Sequence, residues 1–146
     1  MRSVGRGRAR GPRRDALGNV IEGRVLVEGR AEGIALILDE PLSFWGGLDP
    51  TTGRIVEVGH PQRGETVAGR VLVMPSGRGS SSSSTVLAEA IRSGTAPAGI
   101  VLAAADDIIA IGALVAAELY GISVPVIVAD GSAYASIQDG GSAALG

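Results

Sequence analysis

The feature that most constrains the fold is an apolar run that leads through a glycine-serine loop into a helix. Val71–Met74 is continuously apolar, which is typical of a strand buried on both faces. Pro75 removes a backbone donor and ends such a strand, and Gly77 and Gly79 admit backbone angles closed to other residues. Ser80–Ser84 then place hydroxyls and free N–H groups at a helix start. Because a helix N-terminus is partially positive, the loop suits an anion.

Helical spacing after the serines predicts a helix over Thr85–Arg92, with Gly94 as its C-terminal stop. The apolar positions are Val86, Leu87, Ala90 and Ile91. The N-cap stays open, because five consecutive serines all qualify. A flexible serine linker is the alternative interpretation. We disfavour it, because linkers seldom separate a buried strand from a capped helix by so few residues.

The second half of the chain predicts alternating strands and helices. Gly99–Ala103 is another apolar run, and Asp106 and Asp107 precede a segment that is apolar on most sides up to Tyr120. We therefore expect that helix to be buried against the sheet or a partner subunit. Val124–Ala129 predicts a further strand. Strand, helix and strand form the right-handed crossover of a parallel sheet, so this half predicts a β-α-β-α-β order.

The first half is rich in predicted strands. Val20–Glu28 and Ile34–Leu38 are expected to pair as a hairpin. Asp49–Gly53 predicts a turn before a short strand over Arg54–Val58. Tyr134–Gly146 has no assignment, since a weak strand and a frayed terminus both fit its small residues. The fold class is thus α/β, with a β-rich first half followed by β-α-β-α-β.

Charge separates a basic start from an acidic body. Met1–Asn19 carries six arginines against one acid, whereas the rest has seven arginines against fourteen acids. This asymmetry predicts a disordered basic tail over residues 1–19 and one domain over residues 20–146. We interpret the tail as a solvated arm rather than a nucleic-acid contact. No apolar signal segment follows it, and Ile108–Leu119 is too short to span a bilayer, so we expect a cytoplasmic protein without membrane contact.

Cysteine is absent, which excludes disulfides and thiolate metal ligation in this chain; any iron–sulfur cluster would belong to a partner. The lone histidine, His60, makes no metal site, and a solvated loop residue or a catalytic group both fit it. The only Phe and Trp stand together as Phe44 and Trp45 before two glycines. They predict either a core anchor with a tight turn or the lining of a pocket or partner surface.

Three segments in this order resemble the small subunit, or swivel domain, of the aconitase X family of dehydratases. They are Pro41–Pro50 with Thr52 and Gly53, then His60-Pro61, and then Met74–Ser84. The resemblance covers about Val20–Asp130 and implies a swivelling β/β/α fold, which agrees with the predicted order of elements. It also implies a two-part lyase, in which a large subunit holds an iron–sulfur cluster and most of the site for a small hydroxy acid.

The resemblance further implies that this chain lays its loop across the cleft and supplies a serine as the base. Ser80 matches that serine by position. Ser81 is the second choice, because consecutive serines allow the match to the family motif to shift by one residue. The expected substrate-binding residues are Ser76, Gly77, Arg78, Gly79, Ser81 and Ser82. A serine is a poor base unless its alkoxide is stabilised, which loop N–H groups and a helix start would do. Arg78 is expected to pair with the substrate carboxylate or with an acid of the large subunit.

Two substrate types are known in the family: cis-3-hydroxy-L-proline, which gives 1-pyrroline-2-carboxylate, and mevalonate 5-phosphate. Phe44–Gly47 and the unbroken run Ser80–Ser84 resemble the hydroxyproline type more closely, and the second type is the alternative. A non-catalytic anion-binding module is less favoured. Nucleotide binding is weakly supported, because Ser82 stands where the third glycine of a dinucleotide fingerprint should be and the chain has no lysine for a phosphate loop.

Overall fold

The computed structural model describes residues 19–146, and the predicted tail lies outside them except for Asn19. This part of the chain contains nine strands and four helices. The strands are β1 (Asn19–Val20), β2 (Arg24–Val27), β3 (Ala31–Ile37), β4 (Leu48–Asp49), β5 (Arg54–Ile55), β6 (Val71–Met74), β7 (Gly99–Leu102), β8 (Val126–Val128) and β9 (Ser142–Leu145). The helices are α1 (Phe44–Gly47), α2 (Ser82–Ser93), α3 (Asp107–Tyr120) and α4 (Gly131–Ala135).

Seven strands form one sheet in the order β1-β9-β3-β6-β7-β8-β2. The central strands β3, β6, β7 and β8 are parallel, and β2 joins β8 antiparallel at one edge. β9, which the sequence left unassigned, lies between β1 and β3. β4 and β5 form a separate ribbon around the predicted turn. The α/β class and the β-α-β-α-β second half are confirmed.

The predicted hairpin of the first two strands is wrong. β2 pairs with β8 at one edge of the sheet, whereas β3 lies inside the sheet between β9 and β6. The burial of β3 explains this: Ala35 and Leu36 are 0% and 3% exposed, so both of its faces are covered. The first predicted strand is also broken near Gly23, where a Cβ atom would lie 2.3 Å from the carbonyl oxygen of Val128.

The central strands bury alternate residues on opposite faces of the sheet, which explains their continuous apolar runs. In β6, Leu72 and Met74 face the helices, and Val71 and Val73 face the other side. The helical side is filled mainly by residues of α2 and α3, among them Leu87, Ile91, Ile109 and Ala113. The opposite side is covered by β9 and by residues around α4, among them Leu145, Tyr134 and Ile137.

The two long helices start at the same edge of the sheet. α2 begins at Ser82, inside the serine run rather than at Thr85, and ends before Gly94 in the left-handed conformation. α3 begins after Asp106, whose carboxylate accepts a hydrogen bond from the Ile109 N–H at 3.0 Å. One side of α3 is buried against the sheet and α2, through residues such as Ile109, Ala113 and Ala116, as one of the two expectations had it. No helix in this range is long and apolar enough to cross a membrane.

Candidate active site

The predicted site residues lie after β6, next to the loops that follow the parallel strands β3 and β7, and four of them, Gly77, Arg78, Gly79 and Ser80, line the pocket that these loops form. Because these strands are parallel, the loops that follow them lie at one edge of the sheet, where open α/β sheets commonly bind ligands. They enclose a pocket of about 70 Å³. Its lining consists of Leu42, Phe44, Gly77, Arg78, Gly79, Ser80, Ser83, Asp106, Ile108 and Ile109. A larger depression of about 350 Å³, beside β1 and α4, contains none of the predicted site residues.

Ser80 is exposed and lies just before α2. Its Oγ accepts a hydrogen bond from the Ser82 N–H at 3.2 Å, and its carbonyl oxygen accepts one from the Ser83 N–H at 3.0 Å. A donor aimed at Oγ favours the alkoxide over the hydroxyl, as does the positive end of α2. Ser81 occupies the N-cap position but makes no side-chain cap hydrogen bond. The geometry therefore distinguishes Ser80 from Ser81.

Two later serines of the run hold the loop together. Ser83 is 4% exposed, and its Oγ accepts a hydrogen bond from the backbone N–H of Trp45 at 3.0 Å. Ser84 donates from Oγ to the Ile108 carbonyl oxygen at 2.6 Å and so joins α2 to α3. Neither role was predicted from the sequence. The spacing of Ser83 and Leu87, four residues apart on one helical face, is the signal that could have found the first.

Gly77 and Gly79 are glycines because other protein groups approach them closely. A Cβ atom on Gly79, which has φ +110°, would lie 2.3 Å from Ser43 Oγ. A Cβ atom on Gly77 would lie 2.6 Å from Asp106 Oδ2 and 2.7 Å from Ile109 Cδ1. The loop thus packs between the segment after β3 and the start of α3.

Arg78 has a partner that was not predicted from the sequence. Its guanidinium forms an ion pair with the Glu57 carboxylate of the same chain. Its backbone N–H donates to the Leu42 carbonyl oxygen at 3.3 Å. Ser76 donates from Oγ to the Gly77 carbonyl oxygen at 3.1 Å, which is the behaviour of a turn residue. Ser82 is exposed, and its N–H is the donor to Ser80.

The aromatic pair is divided between the core and the surface. Phe44 is 1% exposed, whereas Trp45 is 60% exposed although its N–H is fixed by Ser83. Phe44 is therefore a core residue that also lines the pocket, and Trp45 extends outwards beside the serine loop.

His60 does not line the pocket, and it is buried rather than solvated. Its Nδ1 accepts a hydrogen bond from the Gln62 N–H at 3.0 Å, so in the neutral ring Nε2 carries the hydrogen. Nε2 lies 3.2 Å from the Glu40 carbonyl oxygen and donates to it. Because both ring nitrogens are hydrogen-bonded, His60 joins the segment that contains Glu40 to its own loop at Gln62.

An iron–sulfur cluster does not fit the residues of this chain. The sequence contains no cysteine, and residues 19–146 hold no group of three or more His, Asp or Glu that could bind a metal ion. Protein ligation of such clusters requires thiolates.

A sequence model of the aconitase X swivel domain matches residues 20–145. The chain belongs to this family. Among the proteins similar to this swivel domain is the cis-3-hydroxy-L-proline dehydratase of Pseudomonas aeruginosa, 46% identical over 108 residues, which are 74% of this chain and 19% of that protein. The phosphomevalonate dehydratase small subunit of Methanothermobacter thermautotrophicus is 43% identical over 96 residues, which are 66% of this chain and 73% of that protein.

The swivel domain also resembles a solved structure, the crystal structure of Thermococcus kodakaraensis aconitase X in its holo-form. The TM-score is 0.75 with 33% identity, over 85% of this chain and 88% of that chain. The expected family and fold are thereby confirmed. The swivel domain matches only about a fifth of the length of the two hydroxyproline dehydratases (19% and 18%). These relatives are therefore much longer proteins, of which only one part is similar to this chain.

Proposed function

We propose that this chain is the small subunit of a two-part hydro-lyase that removes water from a hydroxy acid. The observation that carries the proposal is an exposed Ser80 hydroxyl that receives an N–H at the start of α2, inside the family's swivel domain. The relatives named dehydratases and dehydratase small subunits support the reaction type. The proposed substrate is cis-3-hydroxy-L-proline, with 1-pyrroline-2-carboxylate as the product.

In the proposed reaction the Ser80 Oγ alkoxide accepts the proton from the carbon beside the substrate carboxylate. The electrons of that C–H bond form a carbon–carbon double bond, and the hydroxyl on the neighbouring carbon leaves and takes up the proton from Ser80 to become water. The resulting enamine becomes 1-pyrroline-2-carboxylate when a proton moves from its nitrogen to its carbon. The Ser82 N–H and the α2 terminus stabilise negative charge on Oγ; in enzymes of this general design, one such donor contributes about 3–4 kcal/mol. The N-terminus of α3 is less able to stabilise a negative charge on the substrate or on Oγ, because the Asp106 carboxylate already caps it.

The size of the pocket supports a two-part enzyme. Small-molecule sites usually enclose about 300–1,000 Å³, whereas the pocket beside Ser80 measures about 70 Å³. A pocket of this size fits a site that is completed by the surface of a second subunit. Since this chain has no thiolate, the iron–sulfur cluster of the proposal belongs to the large subunit. Heterodimer assembly and a cytoplasmic location belong to the same proposal.

The decisive experiment is turnover by the chain reconstituted with its large subunit. Ser80→Ala should lower turnover by several orders of magnitude, because no other group of the loop replaces the base, and should leave assembly unchanged. Ser81→Ala tests the second choice and should lower turnover far less than Ser80→Ala does. If only Ser81→Ala is inactive, the base is Ser81; if both variants are active, the base lies elsewhere. The chain without its partner should show no turnover.

Dehydration of mevalonate 5-phosphate is the second candidate. Its support is the 43% identity with a phosphomevalonate dehydratase small subunit, of which this chain covers 73%. Both substrates should therefore be offered to the reconstituted pair. A non-catalytic anion-binding module would instead bind a carboxylate or phosphate compound without any partner.

A further inference from the structure

Glu57 lies far from the serine loop in sequence but is joined to it in space. Its Oε1 accepts a hydrogen bond from the Ser43 N–H at 3.1 Å, and its Oε2 pairs with the Arg78 guanidinium. Gly47 leaves room for it, since a Cβ atom there would lie 2.8 Å from Glu57 Oε1. The Glu57 side chain is 19% exposed and that of Arg78 is 45% exposed. Glu57 therefore holds one residue of each of two loops.

The same contacts lead on to the pocket. Ser43 donates from Oγ to the Trp45 carbonyl oxygen at 2.8 Å, and the Trp45 N–H donates to Ser83 at 3.0 Å. Ser43 Oγ also fills the space beside Gly79. The Glu57 carboxylate thus binds two residues next to Gly79: Arg78, which precedes it in the chain, and Ser43, which approaches it in space.

We propose that Glu57 is a positioning residue that, through Arg78, holds the serine loop in the geometry that Ser80 requires. The proposal rests on the proposed function in that Ser80 carries the chemistry. Arg78 is two residues from Ser80, so fixing the guanidinium fixes the loop backbone next to the hydroxyl. Within this chain Arg78 is already paired. In this proposal the contact between the Arg78 guanidinium and Glu57 orients the loop.

A matched ion pair is present on the same chain. Arg92 and Glu89 pair across one turn of α2, with side chains that are 52% and 43% exposed. Pairs of this exposed kind contribute little to structure. Glu89→Gln therefore removes an ion pair without touching the loop, and it is the control for Glu57→Gln.

The first test is the turnover of the reconstituted pair of subunits. Glu57→Gln keeps an oxygen for the Ser43 N–H but loses the charge that holds Arg78. We expect kcat to fall about 10–100-fold, the order of effect of a small misplacement of a catalytic group, while KM changes less than about threefold. Arg78→Gln should give the same loss, and the double variant should be no worse than either single variant. Glu57→Asp should recover part of the rate, and Glu89→Gln should retain it.

The second test is amide hydrogen exchange in the full chain by NMR, which needs neither substrate nor partner. The Arg78 and Trp45 N–H groups are hydrogen-bonded to the Leu42 carbonyl and to Ser83. Glu57→Gln should speed exchange of both at least about tenfold, whereas Glu89→Gln should not. Arg78→Gln tests the same pair from its more exposed side if Glu57→Gln does not fold.

The outcomes separate this inference from the proposed function. Unchanged exchange in Glu57→Gln, or losses in kcat that multiply in the double variant, would overturn the role of Glu57. If Ser80→Ala stays active while Glu57→Gln still loosens the loop, the proposed base is wrong and the placement of the loop by Glu57 stands.

Discussion

At the scale of single residues, the five serines of one run have different environments because α2 begins among them. Ser80 and Ser81 lie before the helix, where one hydroxyl receives an N–H and the other does not. Ser83 and Ser84 lie in the first turn and bond to Trp45 and Ile108. The position of each serine relative to the start of α2, rather than the residue type, decides which hydroxyls are exposed.

Gly79→Ala tests the close approach of the serine loop to Ser43. An alanine at φ +110° is strained, and its Cβ would lie 2.3 Å from Ser43 Oγ. We expect the loop to shift, with turnover of the reconstituted pair reduced at least about 100-fold. Urea unfolding should show a loss of about 2–4 kcal/mol, from backbone strain and overpacking together.

Gly59→Ala is the matched control for Gly79→Ala. Gly59 has a similar left-handed backbone, with φ +83°, but an added Cβ atom would meet nothing within 4 Å beyond its chain neighbours. The substitution should cost only the backbone strain, about 1–2 kcal/mol, and leave turnover unchanged. Equal effects of the two substitutions would show that contact with Ser43 does not matter.

At the scale of helices and strands, α2 and α3 fix the floor of the site by packing closely at Gly112. A Cβ atom on Gly112 would lie 2.9 Å from the Ser84 carbonyl oxygen and 3.1 Å from Ser84 Cα. These are backbone atoms of the first turn of α2, so they cannot move without moving the serine loop. Helix packing and the position of Ser80 are therefore linked.

Gly112→Ala should separate the two helices near their N-termini. We expect a loss of about 1–3 kcal/mol in urea unfolding, because the added methyl meets backbone, together with reduced turnover of the reconstituted pair. Gly131→Ala is the control, since no atom lies within 4 Å of the added methyl and the residue begins α4. That variant should be neutral or slightly more stable. A stable, fully active Gly112→Ala would show that the helices can separate without cost.

Local signals in the sequence predicted most of this architecture. β6, β7 and the ends of α2 and α3 follow from apolar runs and from glycines that stop helices. The partner of β2 did not follow, because strand pairing is decided by which face of each strand is buried across the whole sheet. β9 was left open between a weak strand and a frayed terminus because Ser142–Leu145 is made mostly of small residues, and its place depends on the gap between β1 and β3.

The site was predictable as a loop but not as a network. The strand, the two glycines and the serines are adjacent in the chain, so their joint position at a helix start follows from the sequence. Glu57 and Ser43 come from other loops, and only the fold brings them to Arg78 and Gly79. An isolated glutamate or serine carries no local pattern that marks such a contact.

At the scale of the whole molecule, β1 closes the far edge of the sheet. Asn19 and Val20 pair with Ala143 and Ala144 of β9, and the Ile21 N–H donates to the Ala144 carbonyl oxygen at 2.9 Å. Ile21 is 8% exposed and belongs to the core on the α4 side. The folded unit thus includes residue 19, which the charge pattern assigned to the basic tail.

Removing the basic tail tests whether it takes part in stability or catalysis. Deletion of residues 1–18 keeps β1 whole, so we expect a Tm within about 2 °C of the full chain and turnover of the reconstituted pair within about twofold. Deletion of residues 1–23 is the contrast, since it also removes β1 and the buried Ile21 side chain. Loss of that side chain and its strand pairing should cost about 2–4 kcal/mol and lower the Tm by at least about 5 °C. If deletion of residues 1–18 is by itself enough to abolish turnover, the tail makes a functional contact and is not a solvated arm.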